Sequence, residues 1–177
     1  MFGTGSRPSA TRRIVLTGFM GSGKTTVGPL VAERLGWTFV DVDDVIAAEA
    51  GTTIPEIFRS DGETEFRRRE RETIKKLVRC DGLVLALGGG AIEDDATRLL
   101  LVMAPETLLV HLEVKLETTL ERCKGTEHLR PVLADEANLE DRYDRRLPLY
   151  RMAHVTLRVD ALTPDEVAEA IVHAAEV

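Results

Sequence analysis

The chain has 177 residues, 44% of them hydrophobic, and a formal net charge of −7. That length and apolar content are enough for one domain with a sizeable core, and the acidic balance argues against general binding to a nucleic-acid backbone. No apolar run approaches the roughly 20 residues of a membrane span, the first 13 residues lack the apolar core of a secretory signal, and Cys80 and Cys123 show no metal-binding or disulfide spacing, so a cytoplasmic protein with free thiols is expected.

Residues 1–12 read as a disordered tail, and a single domain is expected over 13–177. Apolar runs near 13–17, 38–41, 82–87, 107–112 and 155–159 alternate with segments of helical periodicity. This pattern predicts an α/β fold, a parallel five-stranded sheet sandwiched between helices in three layers, with ligands gathered beyond the carboxyl ends of the strands.

The first run, Ile14-Val15-Leu16, leads into Gly-Phe-Met-Gly-Ser-Gly-Lys-Thr at 18–25. Strand, glycine loop and helix in that order form a P-loop, whose backbone N–H groups cradle nucleotide phosphates at a helix N-terminus. Lys24 supplies a mobile charge for the β- and γ-phosphates and Thr25 a hydroxyl for Mg²⁺. In the helix that follows, Val27, Leu30, Val31 and Leu35 share one face, while Pro29 cannot donate to the Thr25 carbonyl and predicts a slight distortion.

The second run ends in Asp41-Val42-Asp43. Extended backbone would place both carboxylates on one side, facing the phosphates, one toward Mg²⁺ and the other toward the proton of an attacking hydroxyl. A helix N-cap is the competing reading for such acids, and Asp44 is the expected cap of the next helix. After the third run come Gly88, Gly89 and Gly90, ahead of a helix beginning near Asp94. Three glycines cost chain entropy, so they point to close approach by a small ligand better than to a turn needing positive φ. Arg67, Arg130 and Arg146 offer planar forks for a carboxylate or phosphate, although position alone favours a solvated helix charge for each. Arg67, Arg68, Arg69 and Arg71 cannot all face one ligand from a single helix. The four histidines form no visible constellation, and Trp37 has packing as its default role.

Taken in order, these pieces resemble the shikimate kinase family from about Arg13 onward. The resemblance rests on 18–28, Phe39 to Asp43, Ile54 to Glu70, Gly-Gly-Gly-Ala at 88–91, Arg130-Pro131-Val132-Leu133 and Arg146 to Tyr150. It implies a nucleoside-monophosphate-kinase-like fold and transfer of phosphate from ATP, with Mg²⁺, to the 3-hydroxyl of shikimate, on the chorismate route to aromatic amino acids. It also implies that Gly21, Ser22, Gly23, Lys24, Thr25 and Thr26 hold the nucleotide, that Thr25 and Asp41 serve the metal, and that Lys24, Asp43 and Arg130 serve catalysis. Arg67 and Arg146 would clamp the shikimate carboxylate, with Asp43, Gly89 and Gly90 contacting the rest of the substrate. Arg130 would reach the ATP phosphates from a lid near 123–137. The family pattern departs at the lid, where Arg122 lies one place early and Cys123 stands near the position expected for an adenine-stacking arginine. A monomer without nucleic-acid or membrane partners is expected. A kinase of another hydroxy acid such as gluconate, and a non-catalytic nucleotide-binding module, are the competing readings.

Overall fold

A computed structural model describes residues 10–124 and 136–176, with the side chains of 136 and 137 outside the description. Five strands, β1 (Arg13–Thr17), β2 (Thr38–Asp41), β3 (Leu83–Ala86), β4 (Thr107–Glu113) and β5 (Val155–Arg158), form one sheet in the order β2-β3-β1-β4-β5. All four pairings are parallel, as strands that run in one direction through helical crossovers must be. The crossovers are α1 (Lys24–Leu35), α2 (Val42–Ala50), α3 (Ile54–Ser60), α4 (Gly62–Leu77), α5 (Asp95–Met103), α6 (Leu116–Cys123) and α7 (Glu136–Tyr150), and α8 (Pro164–Glu176) follows β5.

Alternation along the strands divides the core between two faces. Ile14, Leu16, Val84, Leu108 and Val110 pack toward Val27 and Val31 of α1 and Val167 and Ile171 of α8. Val15, Leu85 and Leu109 point the other way, toward Ile46, Ile57, Ile74 and Leu101 on α2 to α5. Burial on both faces explains why the strand sequences read as continuous apolar runs. A third, smaller cluster of Phe19, Ile92, Cys123, Leu139 and Tyr150 lies under the P-loop and joins it to α6 and α7.

The central strand β1 has β3 on one side and β4 on the other, so connections leave it in opposite directions. A crevice opens beyond the carboxyl ends at such a point, and the P-loop sits there. Helix α1 runs unbroken through Pro29, which leaves the Thr25 carbonyl without the amide that a different residue would donate. Its end is closed by Gly36 at φ 66°, whose amide turns back to the Ala32 and Glu33 carbonyls.

Two expectations require correction. Asp44 does not cap α2: Asp41 is the N-cap, its carboxylate accepting the Asp43 amide at 2.9 Å, and Asp43 and Asp44 lie in the first helical turn. The chain passes from strand to helix without a loop, so the extended residue at the junction is Asp41, and only an extended residue can turn its side chain onto the first amides. Asp43 is therefore helical, and strand alternation is not what brings it beside Asp41. In the expected tail, residues 1–9 lie outside the described residues, whereas Arg12 is tied down. Its amide donates to Glu106 at 2.9 Å and its guanidinium to Asp81 at 2.8 Å.

Two histidines have structural environments. His154 Nδ1 accepts the Leu109 amide at 2.9 Å, and its Nε2 lies 3.0 Å from the Val102 carbonyl. His111 is buried against Tyr150, ring centroids 5.1 Å apart, and burial lowers its pKa to about 4.

Candidate active site

The P-loop turns under α1 with Gly21 at φ 73° and Gly23 at φ 93°, the second serving as the left-handed N-cap of the helix. A side chain at Gly23 would be strained there, and the turn is what aims the first amides of α1 into the crevice. Lys24 Nζ folds back over the loop, donating to the Gly18 carbonyl at 2.6 Å and the Phe19 carbonyl at 3.2 Å. Gly21, Ser22, Gly23, Lys24, Thr25 and Thr26 all border a cavity of about 670 Å³.

The same cavity reaches Asp41, Asp43, Gly88, Gly89, Gly90 and Arg146. Asp43 Oδ1 is buried without a hydrogen-bond partner among the described residues. Burial first, and the neighbouring Asp41 charge second, raise the Asp43 carboxyl above its ordinary range, with Arg67 and Lys24 opposing. Asp41 is raised as well, chiefly by burial. A buried carboxylate with a raised pKa and an open lone pair is suited to receive a proton from a group placed against it.

The glycines are used for room and not for conformation, since none of Gly88, Gly89 and Gly90 has positive φ. A Cβ on Gly88 would stand 3.1 Å from Asp43 Oδ1 and 3.2 Å from Glu70 Oε1. On Gly90 it would occupy the position of Arg67 Nη2 and stand 3.1 Å from Arg146 Nη2. Two guanidinium groups, one from α4 and one from α7, thus converge on a single bare segment of backbone. Tyr150 fixes that segment, its buried hydroxyl donating to the Gly89 carbonyl at 2.5 Å.

Of the four neighbouring arginines on α4, Arg67 alone turns inward. Arg68 and Arg69 pair with Glu65 on the outer face, and Arg71 lies 3.6 Å from Asp94. Arg67 Nη1 donates to Glu70 Oε2 at 2.6 Å, and the Glu70 side chain is only 1% exposed. Burial lifts the Glu70 carboxyl to about 7 in spite of Arg67. Glu70 was not singled out in the sequence, although its spacing of three from Arg67 on a helix is the signal that would have found it. Arg146 is also buried, with Phe19 beneath its guanidinium at 6.0 Å and Glu93 paired to Nη2 at 3.0 Å.

At the far end of the cavity stand Arg122, Cys123, Leu162 and Pro164. Arg122 donates to the Gly21 carbonyl at 3.0 Å and the Val159 carbonyl at 3.4 Å, while Cys123 is buried under Gly21. Arg130 and most of the 123–137 segment lie outside the described residues. Every other residue singled out for nucleotide, metal or substrate borders the cavity, except that Arg67 reaches it through the space over Gly90. No group of three or more His, Cys, Asp or Glu that could enclose a metal by itself occurs among the described residues.

Known proteins are similar to this chain along nearly its whole length. A family model described as shikimate kinase matches residues 20–176. A shikimate kinase of Salinibacter ruber is 43% identical over 84% of this chain and 77% of its own length. One of Thermus thermophilus is 40% identical over 93% of this chain and 90% of its own. Among solved structures, shikimate kinase from Acinetobacter baumannii in complex with shikimate superposes with a TM-score of 0.84 at 38% identity, covering 93% of this chain and 92% of that one. With sequence and fold in agreement over that length, the chain belongs to the shikimate kinase family.

Proposed function

We propose that this chain transfers the γ-phosphoryl group of ATP to the 3-hydroxyl of shikimate, giving shikimate 3-phosphate and ADP. One observation carries the reading: a single cavity joins the P-loop lysine and threonine to a buried carboxylate, one oxygen of which has no partner among the described residues, and to the glycine segment on which two guanidinium groups converge. The acceptor must therefore be small, hydroxylated and negatively charged at the end away from the nucleotide.

In this reading the P-loop amides and Lys24 hold the β- and γ-phosphates. Arg67 and Arg146 take the acceptor carboxylate, and the bare backbone at Gly89 and Gly90 lets the ring sit close. The bound acceptor then presents its 3-hydroxyl to Asp43, which orients it and accepts its proton as the oxygen bonds to phosphorus. The bond from the γ-phosphorus to the β,γ-bridging oxygen breaks, and its electron pair leaves with ADP. Alignment and charge balance carry most of the rate in such a transfer.

Thr25 and Asp41 would hold Mg²⁺, and the site fits it. Two oxygen donors at the P-loop end, together with phosphates and water, are the usual protein share for this ion, which rarely has an all-protein cage. When bound, the ion offsets phosphate charge. Arg130 we assign to the phosphates from a lid over 123–137, and Arg122, Leu162 and Pro164 to the adenine end. A cytoplasmic monomer whose Cys80 and Cys123 stand outside any disulfide completes the proposal.

The test is coupled ADP release by purified protein with ATP and Mg²⁺, comparing shikimate, gluconate and no acceptor. Turnover with shikimate alone is expected. Turnover with gluconate, or nucleotide binding without transfer, would overturn the assignment of the clamp.

A further inference from the structure

Arg146 lies across from Arg67 at Gly90, yet the two are held differently. Arg67 is gripped from within by buried Glu70. Arg146 is gripped by Glu93, the last residue of the short 3₁₀ turn Ala91–Glu93 that follows the three glycines. Glu93 does not border the cavity, and its side chain is 27% exposed against 10% for Arg146. It therefore meets the guanidinium from the outer side, while Nη1 and Nη2 of Arg146 stay near Gly89 and Gly90.

Glu93 uses both of its oxygens on α7. Oε2 accepts from Arg146 Nη2 at 3.0 Å, and Oε1 accepts from Arg145 Nε at 3.1 Å. Adjacent helical residues leave the axis about 100° apart, so one carboxylate bridging both fixes the rotation of α7 against the glycine segment as well as the arginine fork. Nothing else does this by charge: Glu93 makes the one ion pair of Arg146 among the described residues, and Arg146 Nε is buried without a partner. The Tyr150 hydroxyl and the Phe19 ring, which also lie against Arg146, are uncharged contacts.

We propose that Glu93 is a positioning residue that holds Arg146 over Gly89 and Gly90 from outside the cavity, and thereby sets the preference of the site for an anionic acceptor. The proposal rests on the reading of Arg146 as part of the carboxylate clamp. A guanidinium already neutralised and oriented from behind loses little freedom when an acceptor carboxylate arrives, which is the benefit of preorganisation. The bonds to Arg146 and Arg145 also lower the Glu93 carboxyl, against the opposing effect of burial, so the bridge stays ionised across neutral pH.

Glu93→Gln removes the charge, and Glu93→Asp keeps it but shortens the reach so that both arginines cannot be bridged. For wild type and both variants, the KM for shikimate and for ATP would be measured, together with the Ki of shikimate methyl ester, which keeps the hydroxyls and lacks the negative charge. In both variants the ratio of ester Ki to shikimate KM should fall about tenfold through a higher shikimate KM, with the ATP KM unchanged, as loss of one charge-assisted hydrogen bond predicts. An unchanged ratio would show Glu93 to be structural only. A lower shikimate KM in Glu93→Gln would show that it competes with the acceptor, and either result overturns the proposal. Should one variant fail to fold, the other decides. A wild-type protein without shikimate turnover would instead overturn the functional reading beneath it.

Discussion

The two ends of the cavity are built in different ways. The end proposed for the phosphates is a contiguous stretch, Gly18 to Thr25, in which backbone amides and one lysine stand within a few residues of one another. The end proposed for the acceptor is assembled from the start of α2, the middle of α4, the segment after β3 and the end of α7. A local motif needs only its own turn geometry, whereas an assembled clamp needs every contributing element in register, each arginine with a carboxylate behind it. Damage to the first end should therefore appear in nucleotide handling, and damage to the second in the acceptor alone.

The largest effect is expected at Lys24, which on the proposed reading holds the phosphates in the ground state and the transition state. Lys24→Ala should lower kcat/KM about 10³-fold and raise the ATP KM, read by coupled ADP release. Equal loss of shikimate binding with intact ATP binding would break the separation of the two ends.

Asp43 stands at the junction. Asp43→Asn keeps its shape and should lower kcat about 10²-fold or more, while ATP binding measured by calorimetry stays at the wild-type level. Normal turnover would remove Asp43 from the proton transfer.

At the clamp, Arg67→Lys and Arg146→Lys keep a charge and lose the planar fork. Each should raise the shikimate KM about tenfold and leave the ATP KM unchanged. A shift confined to ATP would place these arginines at the wrong end.

The smallest effect concerns Glu70. Its folded pKa of about 7 lies above the ordinary 4.5, so ionisation costs the folded state more than the unfolded chain. The associated stability is complete below pH 4.5 and is lost as pH rises through about 7. Glu70→Gln abolishes this titration, so its melting temperature relative to wild type should rise by several degrees between pH 5 and pH 8. A flat difference across that range would show that Glu70 is already ionised at the lower pH.

How far the site could be read in advance follows the same division. The P-loop and the strand positions were legible because contiguous glycines and apolar runs are local signals. The convergence of Asp41 and Asp43 was expected for a reason that does not hold: they meet through an N-cap and a first helical turn, with no strand beyond Asp41. The three glycines were legible as a place of close approach, but what approaches, Asp43 and Glu70 at Gly88 and two guanidiniums at Gly90, was not. Among four arginines on α4, spacing could show only that they diverge; burial against Glu70 selects Arg67. Glu93 and Tyr150 escaped notice because their partners lie on other elements, as with Tyr150 and the Gly89 carbonyl 61 positions away, whereas Glu70 was missed although Arg67 stands one turn before it on the same helix.

By itself, then, the order of residues determined a parallel α/β sheet and a phosphate-binding turn, since strand period, glycine freedom and helix onset act over a few neighbouring residues. Only the tertiary structure decided which charges face the cavity, which carboxylates stand behind the arginines, and that Asp43 keeps an open oxygen. Those facts depend on burial and on distances between elements far apart in the chain, and burial is a property of the packed molecule.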